Sequence, residues 1–192
     1  MADTNKIRYG FRSVYFSVIT ESGGTPTYAE PVAWKGAKSL SLDAEGETST
    51  YYADDIAYFT TNTNNGYTGT LEMSYLSDEF KEKVLGYVKT QDGMLAEDAN
   101  VLPKPFALLC EFQGDAKATR HIWYKVVASR PSTEANTKEE SVEPDTISID
   151  ISAVPVVSAD GANAWVKADA ASDASKYATF FTTAPTLPTV GE

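Results

Sequence analysis

The sequence predicts a mainly-β domain with one short helix. Three observations carry that prediction. Several segments alternate apolar and polar residues with the two-residue period of half-buried strands, turn-forming dipeptides punctuate them, and a single stretch carries helix-terminal signals instead. The clearest strands are Val14 to Ile19, Leu40-Ser41-Leu42 with its flanks, Tyr67 to Tyr75, Phe106 to Phe112, Ile122 to Ala128 and Thr146 to Ala153. In TISIDISA the residues Ile147, Ile149 and Ile151 share one face, while Thr146, Ser148, Asp150 and Ser152 share the other. One face of that strand is wet. Turn signals fall at Ser22-Gly23-Gly24, Asn64-Asn65-Gly66, Asp92-Gly93, Gln113-Gly114-Asp115 and Asp160-Gly161.

SDEFKEKVLG, from Ser77 to Gly86, has the helical grammar. Ser77 suits an N-cap, Asp78 and Glu79 complement the positive end of the helix dipole, and Gly86 suits the residue just past the C-terminus. Phe80 and Val84, four apart, share a face. From Pro155 onward Ala, Ser, Thr, Asp and Pro dominate, which divides the chain into a domain at 1–154 and a C-terminal arm at 155–192, expected to be partly mobile. No repeat or heptad is visible.

Composition excludes several functions. The chain's 192 residues, 42% of them hydrophobic, suffice for one domain with a substantial core. With 16 basic and 27 acidic residues its formal charge is −11, so a surface meeting nucleic acid would repel phosphate. Tight DNA binding is not expected. The N-terminal MADTNKIRYG has no apolar signal core, and the longest wholly apolar runs span five residues, against roughly 20 for a membrane-crossing helix. A soluble, unexported chain with no membrane partner is therefore expected. Cys110, in the apolar run FALLC, reads as a small buried hydrophobe. With one cysteine and one histidine, His121, no metal-ligand spacing is present, and neither GxxxxGK[ST] nor GxGxxG occurs. No cofactor is called for.

Tyr52-Ala53-Asp54-Asp55 has the Tyr-x-Asp-Asp form of the metal-holding hairpin of reverse transcriptases. Two-metal catalysis also needs a carboxylate from a separate strand and a basic surface for the template, and neither is identifiable. His121 lies in a strand-like segment beside Trp123 and Tyr124, which favours a structural role over a hydrolase triad. Glu111 shows no pairing that glycosidase chemistry would require. The chain is not expected to be an enzyme.

The odd feature is the stretch between Leu42 and Leu71, where about 25 residues rich in Tyr, Thr, Asn and Asp separate two short alternating strands. Insertions of that length in a small domain tend to be functional. Exposed Tyr51, Tyr52, Tyr58 and Phe59 are costly unless another surface covers them. The loop therefore reads as a docking element, with packing of the rings on their own subunit as the plainer alternative.

KIRYGFRSVYFSVIT near the start, SLSLDAEGETSTYYADDIAYF, NNGYTGTLEMSYLSDEFKEKVLGY, KPFALLCEFQGD, RHIWYKVVASRPS and TKEESVEPDTISI together give a resemblance that covers most of the chain. The sequence resembles the major tail, or tail tube, proteins of phages with long non-contractile tails, particularly those of Gram-positive hosts. That resemblance implies a β-sandwich or open barrel with one flanking short α-helix, a long inter-strand loop and extended terminal arms. It further implies hexameric rings that stack into a hollow tube in the virion tail, assembled in the host cytoplasm. Its partners would be further copies of itself, a tape-measure protein and a tail terminator, with DNA passing through the lumen during ejection without specific binding.

On this basis the loop between the second and third strands, Gly46 to Asn65, contacts the next ring. Its expected contact residues are Glu47, Tyr51, Tyr52, Asp54, Asp55, Tyr58, Phe59 and Asn62. If the apolar strand faces pack inward, the polar faces line the lumen through Ser39, Ser41 and Asp43; Thr68, Thr70, Glu72 and Ser74; Lys125; and Thr146, Ser148, Asp150 and Ser152. A register error of one residue would exchange every face. The competing reading is a monomeric β-sandwich module that binds a host surface or carbohydrate, which the 11% aromatic content suits.

Overall fold

The computed structural model describes residues 5–22, 25–133, 137 and 145–190. Its first strands are β1 (Arg8–Ser22), β2 (Thr25–Tyr28), β3 (Val32–Ala33) and β4 (Ala37–Glu45). Next come β5 (Thr48–Ala53), β6 (Ile56–Asn62) and β7 (Gly66–Met73), then the helical segment α1 (Asp78–Phe80), which runs directly into a π-helical turn at Lys81–Leu85. The small pair β8 (Val88–Lys89) and β9 (Leu95–Ala96) leads to β10 (Phe106–Gly114), β11 (Thr119–Ala128) and β12 (Ile147–Ala153). The chain closes with β13 (Val156–Val157), β14 (Ala164–Trp165) and β15 (Lys167–Ala170). The expected turn at Ser22-Gly23-Gly24 lies partly outside the described residues, as do most of TKEESVEP and both chain ends.

The main sheet runs β2-β1-β10-β11-β12-β7-β4, with β3 beside β1 and β15 beside β11. Neighbours are antiparallel. β11 divides the sheet, because Val126–Ala128 pair with β12 while Arg120–Trp123 pair with β15. Register breaks in β1, where Gly10 and Ser13 take positive φ, and between β10 and β11 bend these strands as bulges do. The sheet thereby wraps around one apolar core without closing into a barrel, consistent with a β-sandwich.

That core draws on β1, β4, β7, β10, β11 and β12 together with the helical segment. Ser77 caps the helix by accepting from the Phe80 amide at 3.3 Å, and Gly86 ends it in the left-handed region, as the sequence signals indicated. The segment buries Phe80, Val84 and Leu85 completely, each contributing about 2 kcal/mol of apolar transfer. Phe80 stacks on Trp34 at 3.9 Å between centroids, while Phe16 and Phe106 meet its ring edge-on.

FALLC is a strand with no wet face. Phe106, Leu108 and Cys110 enter the main core, and Ala107 and Leu109 point into a second cluster with Ile19, Tyr28, Ile122, Tyr124 and Val156. Residues beyond Pro155 cover this second cluster through Trp165, Ala168, Phe180, Phe181 and Leu187, with Phe181 stacked on Tyr15 at 4.6 Å.

Candidate assembly surfaces

Residues 46–65 form a hairpin of their own. The β4–β7 ladder ends at Glu45 and Gly66; Asn65 then donates its amide to the Glu45 carbonyl at 2.8 Å, and Thr63 donates to Glu47 at 3.0 Å. β5 and β6 take over from Thr48 opposite Asn62 to Ala53 opposite Ile56. The ribbon from Ala37 to Met73 thus has a proximal half inside the sheet and a distal half that, among the described residues, pairs only with itself. At about 3.3 Å per residue β5 alone extends roughly 20 Å.

Asp54 and Asp55 make the two-residue turn at the tip. Their φ values of 51° and 62° give the left-handed pair typical of a type I′ hairpin, which aspartate tolerates better than most residues. Both carboxylates face solvent. Among the described residues no three His, Cys, Asp or Glu side chains gather, here or elsewhere, as a metal ion would require.

Tyr51 stands opposite Phe59 on one face, and Tyr52 opposite Ala57 on the other, because an extra residue in β6 shifts the register between them. Tyr51, Tyr52, Tyr58 and Phe59 are all exposed, Tyr58 at 71%, and Ile56 joins them. Glu47 and Asn62 lie at the base, where Glu47 donates its amide to the Thr63 hydroxyl at 3.0 Å. Sequence reasoning did not single out Ile56. Its position directly after the two turn aspartates, in the run Ile56 to Thr61 with two aromatic and two β-branched neighbours, was the available signal.

The second surface is the outer face of β4, β7 and β12. The two ladders align three rows across it: Ser39, Glu72 and Ser148; Ser41, Thr70 and Asp150; Asp43, Thr68 and Ser152. Beneath them Leu40, Leu71 and Ile149 form the matching apolar row. The Ser39 hydroxyl donates to Glu72 at 2.9 Å and Thr70 to Asp150 at 3.2 Å. The Ser39 hydrogen bond, reinforced by Lys38 at 3.4 Å, holds the Glu72 carboxyl below its ordinary range. Ser74 lies just past β7, exposed, and Thr146 just before β12, half-buried. Lys125 sits apart from the rows, in the β11 bulge, and binds Glu21 of β1 at 2.5 Å.

Glu111 and His121 turn out to be fastenings. Glu111 is 4% exposed and bridges Arg12 at 2.7 Å and Arg120 at 2.9 Å. The Arg120 guanidinium lies over the Tyr177 ring at 3.9 Å and the Phe181 ring at 4.7 Å, and it donates to the Tyr177 carbonyl. His121 Nδ1 meets Asp169 at 2.6 Å across the β11–β15 pair.

With this geometry in hand, comparison with known families is decisive: the family model described as phage tail tube protein matches residues 2–186. The chain belongs to the phage tail tube protein family. No curated protein matches it. Membership makes this a structural protein of the phage tail, and a tail tube protein must meet copies of itself while leaving a passage. The hairpin of this tail tube protein departs from an ordinary solvated exterior, since it exposes Tyr51, Tyr52, Ile56, Tyr58 and Phe59 together. No helix is long and apolar enough to cross a membrane among the described residues.

Proposed function

We propose that the chain forms hexameric rings that stack into the tail tube, a conduit through which DNA is ejected into the host. The observation that carries this reading is the hairpin, which holds four aromatic side chains and Ile56 in solvent. A two-stranded ribbon is marginal in water without a partner, and exposed aromatic clusters are characteristic of interfaces. Glu47, Tyr51, Tyr52, Asp54, Asp55, Tyr58, Phe59 and Asn62 form the contact with the next ring.

The three rows of β4, β7 and β12 line the lumen, with Ser74, Thr146 and Lys125 at their margins. Duplex DNA carries one charge per about 1.7 Å of axis, and a conduit must let it slide. A wall of hydroxyls interspersed with Asp43, Glu72 and Asp150 offers water and repulsion in place of phosphate contacts. Tape-measure and terminator proteins are the further partners in this reading. Negative-stain electron microscopy of the purified protein tests it. Tubes or six-membered rings are expected; monodisperse monomers at high concentration would overturn the reading in favour of a monomeric binding module.

A further inference from the structure

This inference rests on the tube reading and names the surface that receives the hairpin. Val88, Met94 and Leu102 are exposed, Leu102 at 82%. They belong to the connection from the helical segment to β10, which leaves the sheet at the end of β7 and re-enters at the start of β10. The hairpin leaves from the start of β7, so the two apolar surfaces occupy opposite strand ends of one subunit.

The receiving segment is a held platform. β8 pairs with β9, Val101 packs so closely on Gly86 that an added Cβ would meet it at 2.3 Å, and Lys104 donates its amide to Val84 at 2.7 Å. Arg130, just past β11, binds the Glu97 carboxylate and the carbonyls of Asp98 and Val101. Individual cations of the segment are available to the hairpin's acids. Lys89 and Lys104 are exposed and form no ion pair among the described residues, and the same holds for Asp54 and Asp55 at the hairpin tip. The segment also carries the exposed acids Asp92, Glu97 and Asp98, of which Glu97 is bound by Arg130.

Area points the same way. At 150–250 Å² per aromatic ring, the exposed hairpin side chains offer roughly 600 Å², most of the approximately 800 Å² per partner of a standard interface. We infer that the hairpin of one copy seats on residues 86–104 of a copy in the adjacent ring, with Tyr58 and Phe59 against Val88, Met94 and Leu102, and with Asp54 and Asp55 reaching Lys89 and Lys104. A contact between unlike surfaces is heterologous, and where no rotation closes it into a ring it propagates as an open stack.

The test is cross-linking of the assembled full chain with a short bismaleimide. Cys110 is fully buried, so introduced thiols are the reactive ones. Y58C/L102C is expected to give a ladder of covalent multimers on a denaturing gel, whereas Y58C or L102C alone gives none. Tubes of Y58C/L102C without a ladder, or dimers from Y58C alone, would overturn this pairing and leave the tube reading standing; wild-type protein that forms no tubes would overturn the tube reading itself. Charge exchange provides a second route if Y58C/L102C does not assemble. D54K/D55K and K89D/K104D should each abolish tubes and the four changes combined should restore them, whereas failure of restoration would contradict the inference.

Discussion

A carboxylate taken out of water must be compensated, and Glu111 shows how this chain does it. Burial alone would raise its pKa, but hydrogen bonds and charge from Arg120 and Arg12 outweigh that effect and hold the group below its ordinary range. A depressed folded-state value means that the stabilisation is fully present above the unfolded value, about 4.3, and is lost as pH falls through the folded one. Glu111→Ala should therefore cost about 3 kcal/mol at neutral pH, the low end for a broken buried pair because Arg12 stays half in solvent. Urea unfolding measures this, and the variant should lose less stability than the parent on acidification below pH 4. Burial also pushes the Cys110 thiol well above its ordinary value, so native protein should not react with a thiol reagent until it unfolds. The fate of Cys110 was legible in FALLC itself. The ion cluster was not, since Arg12, Glu111 and Arg120 come from three strands and Arg120 is covered by Tyr177 and Phe181, contacts that leave no trace in local periodicity.

Strand elements follow from alternation wherever one face stays wet. β4, β7 and β12 carry period-two patterns, and their registers place the expected polar residues in common rows. Phe106 to Phe112, expected as a strand with one wet face, instead buries both faces in β10, and the chain beyond Pro155 reaches the second cluster through Trp165, Phe180 and Phe181. The hairpin was legible as an insertion but not as paired strands. Its turn uses Asp-Asp where Asn-Gly is the familiar signal, and a bulge breaks the alternation at Tyr58. Since β5 and β6 pair only with each other, their amides should exchange rapidly in the monomer and become protected on assembly, which hydrogen exchange with mass spectrometry reads directly. Gly69 shows the opposite regime inside the sheet. A Cβ there would lie 1.9 Å from the Ser41 carbonyl oxygen, so Gly69→Ala should force β4 from β7 and cost about 1–3 kcal/mol in thermal or urea unfolding.

At the scale of the whole molecule, the account is a division of surfaces. The core and the second cluster absorb the apolar strand faces, the three-row face stays wet, and the hairpin keeps its aromatic side chains exposed. Replacing Tyr51, Tyr52, Asp54 and Asp55 with alanine should leave a folded monomer by circular dichroism while blocking polymerisation, because the hairpin is not part of either core. Unfolding of that variant would show that the rings support their own subunit. In assembled tubes a cysteine at Glu72 should label from the lumen, and one at Leu71, fully buried, should not. The most direct measurement is an electron cryo-microscopy map of tubes grown from the purified chain. The account predicts residues 46–65 enclosed by the adjoining ring and the rows through Glu72, Thr70 and Thr68 facing the bore; a hairpin free in solvent, with those rows pressed between subunits, would contradict it.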